Sequence, residues 1–112
     1  MIRKFVRMEK AVQNKSELVS RLYGNRERIL DLGVERLGIF GSFAKDSAKQ
    51  ASDVDFFVEF SPGKKTFDNF MELAFCLEEL TGRKVELLTR QSLNQYIGKY
   101  ILQEVEYVSL AA

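Results

Sequence analysis

Asp53 and Asp55 flank Val54 inside an apolar run, and a Gly41-Ser42 pair stands upstream with ten residues between Ser42 and Asp53. Strand side chains alternate with period two, so the two carboxylates of an Asp-x-Asp strand share one face. Their Cα atoms then lie about 6.7 Å apart. Two negative charges about 6 Å apart repel by roughly 3 kcal/mol at an effective dielectric near 20. A fold has little reason to hold such a pair beside its core unless a cation sits between them. Magnesium suits the position, because it is hard, takes oxygen ligands, and is usually held by one or two carboxylates plus substrate phosphates. Glu86 is a third candidate ligand. It sits between Val85 and Leu87 in a later predicted strand, and converges on the aspartates if the two strands are neighbours. The plainer reading of Glu86 is an exposed strand residue paired with Lys84 or Arg83.

Gly41 and Ser42 form the candidate phosphate grip. Glycine lets the backbone turn sharply and approach a ligand closely. A helix opening there offers free N–H groups and a positive dipole end to an anion. Ser42 adds a hydroxyl donor, and Lys45, about one turn on, is placed to reach an outer phosphate. The alternative is an ordinary strand-to-helix turn with Ser42 as its cap.

These residues need elements to position them. Asn14 with Glu17 resembles a capping box, with Ser16 as the rival cap. A helix from about Ser16 carries the stripe Leu18, Val19, Leu22, Tyr23, Ile29 and Leu30, with Gly24-Asn25 as a kink or split and Gly33 as a left-handed stop. Val34 to Phe40 reads as a strand, Phe43 to Ala48 as one or two helical turns, and Gln50 to Ser52 as a loop. Asp53 to Phe60 reads as a strand, with Val54, Phe56, Val58 and Phe60 facing opposite to Asp53, Asp55, Phe57 and Glu59. After the Ser61-Pro62-Gly63 turn, Thr66 to Leu80 reads as a helix with Phe67, Phe70, Met71, Ala74, Leu77 and Leu80 as its core stripe, stopped at Thr81-Gly82. Arg83 to Thr89 is a third strand. From Gln91 a last helix carries Leu93, Ile97, Ile101, Leu102 and Val105. The order predicts an α+β domain spanning 1–112, with a small mixed sheet of three to four strands and helices packed on it. Residues 1–13 read as a mobile basic arm or a short helix.

Composition removes several alternatives. The chain has 112 residues, one cysteine and no histidine. The usual zinc sites and histidine-activated nucleophiles are therefore out. Cys76, among Leu73, Ala74, Phe75 and Leu77, reads as a small buried hydrophobe. Seventeen basic against sixteen acidic residues leave a net charge of +1. That balance argues against direct nucleic-acid binding, a reading that rests on the basic N-terminal arm alone. No apolar run is long enough to span a bilayer, and a cytoplasmic location is the default expectation. Tyr96, Tyr100 and Tyr107 on the last helix are candidates for a homo-oligomer contact, with burial in the monomer as the simpler expectation.

The run Leu37-Gly38-Ile39-Phe40-Gly41-Ser42-Phe43-Ala44-Lys45, the segment Ser52-Asp53-Val54-Asp55-Phe56-Phe57-Val58-Glu59-Phe60, and Leu80 to Thr89 with Glu86 together resemble the minimal nucleotidyltransferases, a branch of the polymerase-beta nucleotidyltransferase superfamily. The resemblance runs from about Arg26 to Val108. It implies the nucleotidyltransferase fold and mononucleotide transfer from ATP. Asp53, Asp55 and Glu86 would hold two magnesium ions, roughly 3.5–4 Å apart in such sites. Gly41, Ser42 and Lys45 would hold the phosphates, and Glu86 would also take the acceptor's proton. Small members act as antitoxins beside a helical HEPN toxin encoded by an adjacent gene, moving AMP to a toxin tyrosine. A catalytically weak member that neutralises its toxin by contact is the alternative. The family has Arg, Gly and Asp where this chain has Lys45, Asp46 and Glu86. Arginine offers a planar two-pronged donor that lysine lacks, and a carboxylate at Asp46 lies close to the expected phosphates.

Overall fold

The computed structural model describes residues 9–111. A four-stranded mixed sheet in the order β3-β2-β1-β4 organises it. Strand β1 is Val34–Phe40, β2 is Val54–Phe60, β3 is Val85–Leu88 and β4 is Glu106–Val108. β1 runs antiparallel to both β2 and β4, while β2 and β3 are parallel. The parallel pair needs a crossover, and helix α4, Phe67–Thr81, supplies it.

One face of the sheet makes the core. Leu37, Ile39, Val54, Phe56 and Val58 pack with Leu18, Leu22 and Ile29 from the N-terminal helices and Leu73, Cys76, Leu77 and Leu80 from α4. The N-terminal helix divides at Gly24-Asn25 into α1, Lys15–Gly24, and α2, Arg26–Leu30. Asn14 caps α1, its side chain accepting from the Glu17 N–H at 2.9 Å, and Ser16 lies inside the helix. Gly33 has φ +85° and ends the segment in the left-handed region.

Three expectations are corrected. The core stripe of α4 is Leu73, Cys76, Leu77 and Leu80, while Phe67 is 78% exposed. Helical spacing admits two overlapping apolar stripes here, and packing against the sheet selects one. The last helix is much shorter than the apolar spacing suggests. A 3-10 turn at Arg90–Ser92 precedes α5, Gly98–Glu104, and the chain then enters β4. Three residues are enough for an edge strand but too few to carry a periodic signal. Finally, Tyr96, Tyr100 and Tyr107 are exposed, at 73%, 61% and 41%.

Of the predicted arm, residues 1–8 lie outside the described region. Residues 9–13 are non-helical and run along the end of α4. The Glu9 N–H donates to the Glu79 carbonyl at 3.0 Å and the Val12 N–H to the Thr81 carbonyl at 2.9 Å, with Val12 fully buried.

Candidate functional site

The face of the sheet opposite the core carries the chemistry. On β2 it presents Asp55, Phe57 and Glu59, paired across to Phe40, Gly38 and Arg36 of β1. On the other side β3 runs parallel, with Asp55 directly in register with Glu86. The charge of Glu86 acts on Asp55. Burial, then the charges of Glu86 and Asp53, and then a hydrogen bond with Glu86 push the Asp55 carboxyl from its ordinary 3.8 up to about 6. Asp53 stands just before β2 at the exposed rim, close enough for its charge to act on Asp55. The ion pairs expected for Glu86 do not form. Arg83 points inward to backbone carbonyls, and no ion pair to Lys84 forms among the described residues.

The glycine-serine turn meets this cluster from β1. Gly41 opens α3, Gly41–Ala44, at φ +70°, and a Cβ there would stand 2.3 Å from Asp55 Oδ2. A glycine is therefore required twice over, for the backbone conformation and for the carboxylate's space. The opening amides of α3 lack partners within the helix. The half-buried Ser42 hydroxyl has no side-chain hydrogen bond among the described residues. It stands two residues past Phe40, which pairs with Asp55.

Lys45 is the predicted residue that the fold directs elsewhere. Its ammonium pairs with Glu104 of α5 at 3.3 Å, and both side chains are well exposed. Such a pair contributes about 0–1 kcal/mol, so a phosphate could draw Lys45 away at little cost. Asp46 also turns aside. At φ +54° it leaves α3 and accepts the Lys15 N–H at 3.0 Å, placing its carboxylate at the positive end of α1.

Glu59, the second acid of β2, does not join the cluster. It accepts from Arg36 at 2.6 Å, from the Tyr107 hydroxyl at 3.0 Å and from Arg90 at 3.4 Å. Burial works against its charged form, but these donors prevail and hold its carboxyl below the ordinary value. Phe57 is fully buried on this supposedly polar face, with the Arg90 guanidinium 5.9 Å from its ring centre. Strand alternation marks the face of a residue but not what later elements lay over it.

The donor set at Asp53, Asp55 and Glu86 is all oxygen, which fits a hard divalent cation. Among the described residues no three acidic or thiol side chains form a ready-made cage. The remaining positions would fall to phosphate oxygens and water, the usual arrangement for magnesium. The lone thiol, Cys76, is buried and pushed up by that burial, which leaves it inert.

Residues 22–108 match the nucleotidyltransferase domain family, and the chain belongs to that family. It is similar to the protein adenylyltransferase MntA of Thermococcus cleftensis, with 42% identity over 83 residues, covering 74% of this chain and 80% of the relative. MJ0435 of Methanocaldococcus jannaschii, named provisionally as a protein adenylyltransferase, is 41% identical over 76 residues, covering 68% of this chain and 81% of the relative. A solved structure described provisionally as a minimal nucleotidyltransferase superposes with a TM-score of 0.64 at 29% identity, over 79% of this chain and 93% of the other. A toxin-antitoxin structure with AMP-PNP shares the fold at 19% identity and a TM-score of 0.58, over 76% of this chain and 73% of the other. No helix among the described residues is long and apolar enough to cross a membrane.

Proposed function

We propose that this chain is a protein adenylyltransferase antitoxin. It moves AMP from ATP to a tyrosine hydroxyl of a helical HEPN-type toxin encoded beside it. The observation that carries this reading is the register of Asp55 with Glu86 beside the Gly41-Ser42 turn. The relatives named for protein adenylylation support it.

Asp53, Asp55 and Glu86 would hold magnesium, with two ions as the proposed number. When bound, the metal supplies charge stabilisation to the reacting phosphates. The chain's own groups do the rest. The amides of the Gly41-Ser42 turn and the Ser42 hydroxyl bind the outer phosphates, and Lys45 joins them on leaving Glu104. Glu86, exposed at the rim, takes the proton of the acceptor hydroxyl. The tyrosine oxygen bonds to the α-phosphorus, the bond to the bridging oxygen breaks, and pyrophosphate leaves with the electron pair.

Incubation of the protein, its neighbour, labelled ATP and magnesium tests this. Label is expected on a tyrosine of the neighbour and absent with Asp53→Asn. Full neutralisation by Asp53→Asn without label transfer would establish inhibition by contact instead.

A further inference from the structure

Arg83 is the most heavily bonded side chain near the site, and nothing in the reaction uses it directly. It is 7% exposed. Its Nε donates to the Val12 carbonyl at 2.7 Å. Its Nη1 points into a cup of three carbonyls, from Lys49 at 3.0 Å, Gln50 at 3.0 Å and Ser52 at 2.8 Å. The guanidinium also lies 5.0 Å from the ring centre of Phe43. Among the described residues it meets no carboxylate. A buried arginine without a counter-ion needs this density of carbonyl partners to be tolerated.

The partners connect the whole site. Phe43 follows Ser42, the carbonyls at 49–52 lead directly into Asp53, and Arg83 itself stands three residues before Glu86. Lys49, Gln50 and Ala51 are exposed, so this loop has little apolar anchorage. Its internal closure consists of the Lys49 N–H to Ser52 Oγ at 2.8 Å and the Ser52 N–H to the Lys49 carbonyl at 3.0 Å. Neither bond ties it to the sheet.

We infer that Arg83 is a positioning residue for the transfer reaction, holding the 49–52 loop so that Asp53 faces Asp55 and Glu86. The inference rests on the carboxylate-site reading above. Lysine would keep the charge, but its ammonium ends about where the arginine Cζ sits and cannot serve both Val12 and the cup.

The test compares wild type, Arg83→Lys, Arg83→Met and Asp53→Asn. The first readout is amide exchange in metal-free protein. Exchange is expected to quicken at Lys49, Ser52 and Val54 in both Arg83 variants while β1 amides keep their protection. The second is transfer kinetics. A loss of about 10–100-fold in kcat is expected, the range seen when a group orienting a metal ligand is removed, with Arg83→Lys retaining more activity than Arg83→Met. Unchanged exchange at 49–54, or quickened exchange with wild-type turnover, overturns the inference. So does unfolding of both Arg83 variants, which would make Arg83 a general stabiliser. If Arg83→Met alone fails to fold, Arg83→Lys decides. Wild-type transfer by Asp53→Asn would instead sink the carboxylate-site reading, leaving the exchange result to judge the loop anchor by itself.

Discussion

Asp55 and Glu86 stand in register across the parallel β2–β3 pair, close enough for the charge of one to act on the other. Two acids so placed cannot both ionise without cost. The Asp55 carboxyl is accordingly raised to about 6. A raised carboxyl means that the folded chain holds the proton more tightly than the unfolded one, so ionising Asp55 destabilises the fold. The penalty is full above about pH 6, shrinks as pH falls, and is gone below the ordinary value of 3.8. Asp55→Asn is therefore expected to stabilise the metal-free protein at pH 7.5 by about 1 kcal/mol, a figure reduced for solvent screening. Thermal melts at pH 7.5 and at about pH 3 check this, with the gain absent at the lower pH.

Magnesium held at the proposed site would relieve the same repulsion. Adding it at pH 7.5 is expected to raise the Tm of wild type, and to raise that of Asp55→Asn much less. Chelation with EDTA should return wild type to its starting Tm.

Gly41→Ala introduces a methyl group where Asp55 Oδ2 would be 2.3 Å away, on a backbone at φ +70°. A destabilisation of about 1–3 kcal/mol follows from the left-handed conformation and the clash. Transfer activity should fall further than stability explains, because the displaced atom belongs to the site. Denaturant titration beside a transfer assay separates the two effects.

Asp46 closely follows the glycine-serine turn in sequence, yet its carboxylate is engaged by the Lys15 N–H. Asp46→Gly should change KM for ATP by less than about twofold, the scale of an exposed charge contact. A large fall in KM would mean that the carboxylate faces the phosphates after all.

Glu59→Gln tests the opposite sign of linkage. Arg36, Arg90 and the Tyr107 hydroxyl outweigh burial and hold its carboxyl low. That stabilisation is present above the ordinary glutamate value of 4.5 and is lost as pH falls below it. The variant should lose about 1 kcal/mol at neutral pH, the scale of a net hydrogen bond, and progressively less as pH falls below the ordinary value and through the lowered one, with transfer unaffected. Melts across that pH range measure it.

The sheet's centre was legible because periodicity there is strong. Val54, Phe56 and Val58 fix the register of β2, and register fixes where Asp55 points. Gly41 and Gly33 were legible for a different reason, since positive φ restricts the choice of residue. Glu86 could be placed beside Asp55 only on the assumption that β2 and β3 are neighbours, which α4 makes true. What stayed hidden depends on contacts distant in sequence. Nothing in Gly82-Arg83-Lys84 reveals that Arg83 is buried among carbonyls 31 to 71 positions away. β4 is too short to carry a pattern, and neither the Lys45–Glu104 pair nor the burial of Phe57 leaves a local trace.

In the proposed reaction, acids from two parallel strands form one transfer site. Single-turnover transfer of AMP by wild type, Glu86→Asp and Glu86→Gln tests it most directly. Glu86→Asp should stay active, since the carboxylate remains. Glu86→Gln should fold normally and lose at least about 100-fold in rate, the scale of a positioned proton acceptor. Wild-type transfer by folded Glu86→Gln would show that the β3 acid has no part in the site.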